Sequence, residues 1–139
     1  MTRRLALLRG SYFLAAWPLL GKAPALSVRG TLTRSSDGKP ALQPSGQELI
    51  LLTGDHDTLG VLNDKRLWGT DFEALGHFTA PGHFEIDGIY TRSMFVHKDG
   101  KRLLITYWCD VCSIRTYTPG NCVCCQKYTD LDLRENDDE

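Results

Sequence analysis

All five cysteines of this chain fall between positions 109 and 125, as Cys109-Asp-Val-Cys112 and then Cys122-Val-Cys124-Cys125. Two C-x2-C pairs separated by a nine-residue, turn-rich insert leave the chain little freedom there. The insert would run out and back, which places four sulfurs where one metal ion could gather them. Thiols at this density can ligate one metal ion, pair as disulfides or exchange electrons.

The first 25 residues have a different character. Arg3, Arg4 and Arg9 precede the apolar run Ser11–Gly21, and Ala23-Pro24-Ala25 places small residues in an A-x-A pattern. This is the form of a cleaved signal peptide over 1–25, and its apolar run is short of the ~20 residues that span a bilayer. The expected location is therefore exported, either periplasmic or secreted, with no transmembrane segment after cleavage.

Setting 1–25 aside removes four bases and no acid, which moves the formal charge from −1 to −5. An acidic chain does not suit a general nucleic-acid binder, which needs cationic surface to displace counterions. The last eleven residues, 129–139, hold six acids against Arg134 and read as a solvated, frayed tail. Residues 26–128 then form one β-domain that includes a cysteine-rich segment over 107–126.

That body reads as short strands with no helical period. Val28, Gly30 and Leu32 alternate with polar neighbours. Glu48–Leu52, Thr58–Leu62, Phe72–Phe78 and His83–Ile86 follow at strand length. Ser93–His97 and Arg102–Trp108 flank Asp99-Gly100, a hairpin signal. Ser35–Gly46 reads as a loop within the domain, and Lys65–Thr70 as a helical turn or loop. The expectation is an all-β fold, a small barrel or sandwich. The order of these elements, with a glycine in the first strand, resembles an OB-fold barrel over roughly residues 27–97. Fold resemblance alone carries no function.

Among the three uses of the cysteines, the leading expectation is a structural Zn²⁺ held by Cys109, Cys112, Cys122 and Cys125, with Cys124 as the alternative fourth ligand. Thiolates suit zinc, and four of them close its coordination shell. The pairs resemble the two knuckles of a zinc ribbon or rubredoxin-type site, although neither has the usual Pro or Gly within or just after it, the nine-residue insert is short and Cys124 has no counterpart. One alternative is no metal, with disulfides favoured by export and one thiol left over. The other is a periplasmic thiol–disulfide redox protein using Cys109 and Cys112. An exchanger normally sets its pair at a helix N-terminus, and here Cys109 ends a strand.

Elsewhere, His77 and His83 flank Pro81-Gly82 and can face each other across a hairpin, with Glu85 or Asp87 as a carboxylate. Single histidines on strands are more often plain polar residues. Gly54-Asp55-His56-Asp57 reads as a turn. No nucleophile elbow, phosphate loop or H-E-x-x-H motif occurs, so nothing supports an enzyme. As a whole the chain resembles an exported bacterial protein with an OB-like barrel and a C-terminal zinc-ribbon-like motif. Its expected role is a non-catalytic binding or assembly module for an unidentified protein partner. Arg115 and Tyr117, on the hairpin between the knuckles, are the expected contact residues.

Overall fold

Gly30 and Gly76 stand where neighbouring backbone comes too close to leave room for a side chain. In the computed structural model, which describes residues 26–135, nine strands, one short helix and two 3-10 turns form a closed five-stranded barrel with an extension. Strand β1 (Leu26–Arg34) pairs antiparallel with β2 (Pro40–Gln43), which pairs with β3 (Ile50–Thr53). The long β4 (Asp71–Ala80) closes the cylinder against β1, and β5 (His83–Ile86) pairs antiparallel with β4 and parallel with β3. The resulting order, β1-β2-β3-β5-β4 and back to β1, is OB-like. The all-β expectation holds.

A Cβ on Gly30 would stand 2.7 Å from the Gln43 carbonyl carbon, so the close passage of β1 over the end of β2 requires glycine. Gly76 lies where β4 changes neighbour from β6 (Met94–Lys98) to β5, and a Cβ there would run into the Glu85 carbonyl oxygen. Neither obstacle is a flexible side chain. Gly76→Ala is therefore expected to cost about 3 kcal/mol or more in chemical denaturation, at the upper end of overpacking. A loss below about 1 kcal/mol would show that the barrel can open at this point without strain.

Three expectations from the sequence need correction. Thr58–Leu62 is not a strand but the body of helix α1 (His56–Leu62). The Asp55 carboxylate accepts from the Thr58 backbone N–H at 2.9 Å and caps the helix, a bond that also holds this carboxyl below its ordinary pKa. Thr58, Val61 and Leu62 then fall at helical spacing on the buried face. The supposed loop 35–46 contains β2, whose Ala41 and Leu42 are wholly buried. Pro40 opens that strand, where its missing donor costs least. The acidic end is not frayed over Asp130–Glu135, because these residues form β9 against β7 (Lys101–Cys109).

The core runs through the barrel and out under the extension. Leu32, Leu42, Leu52, Phe72 and Phe84 fill the cylinder, while Val61 and Leu62 from α1 and Leu67 from the following 3-10 turn (Lys65–Leu67) join them. Met94, Val96, Ile105 and Tyr107 continue the same cluster into β6 and β7, with Leu131 and Leu133 of β9 packed against it. Each such side chain contributes about 1.5–3 kcal/mol by leaving water. Because this core is continuous, β7 is fixed before it reaches Cys109. Among the described residues no helix is long and apolar enough to cross a membrane. The segment 1–25 lies outside the described residues.

Candidate metal centre

Strand β7 delivers Cys109 in register with Ile114 of β8 (Ile114–Thr116), so Cys109–Ser113 is the turn of a β-hairpin. The second pair forms a matching turn. The Gln126 N–H donates to the Cys122 carbonyl at 2.9 Å, the Cys122 N–H donates to the Lys127 carbonyl at 2.7 Å, and Asn121 bridges to Tyr128. Thr129 then secures the exit, its N–H and its hydroxyl both donating to the Gly120 carbonyl at 2.9 Å.

The two turns share a further feature. Ser113, directly after Cys112, has φ 53°, and Gln126, directly after Cys125, has φ 63°. Both occupy the left-handed region that normally favours glycine. The knuckles thus keep the required backbone shape with residues that strain it, which explains how the usual glycines can be missing. Ser113→Gly and Gln126→Gly are each expected to stabilise the hairpin by about 0.5–1 kcal/mol, read as slower amide exchange between Cys109 and Thr129. Faster exchange in either variant would mean that the serine or glutamine side chain makes a needed contact.

The Sγ atoms of Cys109, Cys112, Cys122 and Cys125 all lie within 4.8 Å of one another. Cys109 Sγ and Cys125 Sγ are 3.5 Å apart. Four thiolates around a tetrahedral ion with bonds of about 2.3 Å stand about 3.8 Å from one another, so the group is close to the size of a loaded site. Cys109 and Cys122 are buried, Cys112 and Cys125 half-buried. All five cysteines are free, and none of the sulfurs is paired. The four sulfurs form a single cluster.

Backbone donors already face the sulfurs. The N–H groups of Cys125 and Cys124 point at the Cys122 sulfur and bring its pKa down to about 7. At Cys109 the corresponding donors are the N–H groups of Cys112 and Val111; they lower its pKa, but burial and the crowding of Cys125 and Cys122 outweigh them and leave it raised. Cys112 is pushed well up, first by contact with the Cys124 thiol and then by burial. In each knuckle the leading sulfur is thus solvated by two amide dipoles, as a thiolate requires. This is a four-cysteine group positioned to bind a metal ion.

Cys124, the alternative ligand in the sequence reading, is exposed and stands outside the group of four. The expected contact residues separate. Arg115 is engaged within the chain: it donates to Thr106 Oγ1 at 2.6 Å and to Asp132 Oδ2 at 2.8 Å, and it stacks on Trp108. Tyr117 remains exposed. His77 and His83 do not face each other, since His77 is opposite Glu85 and His83 opposite Ala80. The cysteine group is the one cluster of metal-ligating side chains among the described residues.

A network missed by the sequence reading joins this hairpin to the barrel. Asp64, only 7% exposed, accepts from Tyr107 Oη at 2.9 Å and from Arg66 Nε and Nη2, both at 3.0 Å. Arg66 Nη1 reaches on to the Thr129 carbonyl at 2.9 Å, and its guanidinium lies over the rings of Tyr107 and Tyr128. An Asp-x-Arg triplet before an apolar residue is too common to have marked it. No protein-family model, curated protein or solved structure matches this chain, so the reading of the centre rests on its own geometry.

Proposed function

We propose that the chain is a non-catalytic binding module in which a structural Zn²⁺, held by Cys109, Cys112, Cys122 and Cys125, fixes the shape of the hairpin carried by β7. The observation behind this reading is the four-sulfur group itself, with amide donors aimed at the leading sulfur of each knuckle. Zinc imposes no geometric demand beyond what four thiolates give it, and a closed shell leaves no position for a substrate. The ion's role is then to hold a segment with little apolar material of its own. Val111 and Val123, at the tips of the two knuckles, are 65% and 79% exposed and contribute almost nothing to a core.

The redox rival is weaker on physical grounds. Cys109 is buried at the end of a strand, whereas an attacking thiolate has to be reachable. Elemental analysis combined with a thiol count on the purified protein separates the readings. About one zinc per chain, with all five thiols free after chelation, is the expected result. A metal-free chain with two disulfides would overturn it. We further propose that 1–25 directs export, which the intact mass of the protein recovered from a bacterial envelope fraction tests: loss of those residues is expected, and their retention in the cytoplasm counts against it.

A further inference from the structure

We infer that the groove between β6 and β8 is a docking site for a peptide segment of a partner protein that presents an acidic side chain beside an apolar one. The inference rests on the binding-module reading and names the chemistry of its partner. One edge of β7 is shared by two strands. β6 pairs with it as far as Leu104, opposite Phe95, and β8 takes over from Tyr107, opposite Thr116. A groove of about 600 Å³ lies along this change of partner, lined by Leu75, Arg92, Phe95, Arg102, Leu104 and Tyr117.

Its apolar floor is continuous, because Leu75, Phe95 and Leu104 come from three neighbouring strands. Its charge is positive. Arg92 has no carboxylate within ion-pair distance among the described residues. Arg102 stacks on Phe95 with its guanidinium carbon 3.6 Å from the ring centre. Its Nε lies 3.0 Å from Glu73 Oε1 yet makes no hydrogen bond. Glu73 is itself taken up by Ser27 Oγ at 2.5 Å and His97 Nε2 at 2.8 Å, so Arg102 shares its carboxylate with two other groups. In a chain of net negative charge, an arginine without a carboxylate, beside a second that shares its only one, calls for an acidic ligand with an apolar neighbour over this floor.

Exposure favours a peptide over a free metabolite. A small ligand is normally enclosed over most of its surface. Here Arg92 and Tyr117, which supply the charge and the aromatic face, are both exposed at the rim, and Tyr and Arg are the residue types that dominate protein interfaces.

Panning a random dodecapeptide library on the full chain as purified tests this. Enriched peptides are expected to share an Asp or Glu within two positions of an aromatic or aliphatic residue. The tightest should bind Arg92→Glu roughly ten- to a hundredfold more weakly, and Tyr117→Ala should also bind it more weakly. Both positions are exposed, and unchanged circular dichroism would confirm that each variant folds. No enrichment, enrichment without an acidic residue, or affinity unchanged in both variants would overturn the inference. So would free 4-phenylbutyrate binding as tightly as the best peptide, since the groove would then be a small-molecule pocket. A chain that holds zinc but selects no acidic peptide sinks this inference alone, and one that selects acidic peptides without metal sinks the zinc reading alone.

Discussion

Serine in place of Cys122 is expected to weaken zinc binding a hundredfold or more and to loosen the chain from Cys109 to Thr129, while the barrel stays folded. Structural zinc contributes on the order of 10–16 kcal/mol in small zinc-dependent folds. One thiolate in four represents about 3 kcal/mol of that, or a hundredfold and more in affinity. Cys122 is the strongest choice because its sulfur is buried and receives two amide donors, which a serine oxygen would meet at the wrong distance. The barrel should survive because its core contains none of the cysteines. Cys124→Ser supplies the control: it is exposed, outside the four-sulfur group, and should bind metal as the unaltered chain does. Zinc affinity, measured by competition with a chelator, and amide exchange read the two effects separately. Unchanged affinity in the Cys122 variant, or weakened affinity in the Cys124 variant, would show that the ligand set is wrong.

The cysteine centre was legible in the sequence because its information is local. Two C-x2-C pairs with a short insert can hardly avoid meeting, whatever the rest of the chain does. The barrel was legible for a related reason, since strands at short spacing with Gly and Pro turns restrict the architecture more than any single residue does. What escaped depends on distant partners. Helix α1 is a single capped segment of seven residues, too brief for its period to stand out against a strand. β2 and β9 are strands because neighbours far along the chain offer them an edge; Leu131 and Leu133 gain their value only when they cover Ile105 and Tyr107. The absence of glycine after each knuckle looked like a departure from the zinc-ribbon pattern. The backbone at Ser113 and Gln126 shows that the shape is kept and the strain accepted.

Asp64→Ala is expected to be the most damaging substitution that touches neither a cysteine nor a glycine, at about 3–5 kcal/mol in chemical denaturation. Asp64 caps the 3-10 turn by accepting from the Arg66 N–H at 3.1 Å, fixes the Arg66 guanidinium through two further bonds, and accepts a hydrogen bond from Tyr107 Oη. Tyr107 is fully buried, and its hydroxyl would be left without an acceptor in a site that already holds the phenol protonated, its pKa raised by burial and by the Asp64 charge. Arg66 would lose its counterion while half of its reach remains tied to Thr129. Arg66→Ala should cost less, about 1–3 kcal/mol, because Asp64 would keep the tyrosine and the turn. The two losses should not add: a coupling above about 1 kcal/mol in the double mutant is expected for groups sharing one network. The same change should weaken zinc, since the Thr129 backbone that Arg66 grips also closes the second knuckle onto Gly120. Metal affinity measured by competition with a chelator would then fall in Asp64→Ala although the nearest cysteine ligand is untouched. A variant that loses stability but keeps the affinity of the unaltered chain would show that the barrel and the knuckles fold as separate units, joined by the network yet not shaped by it.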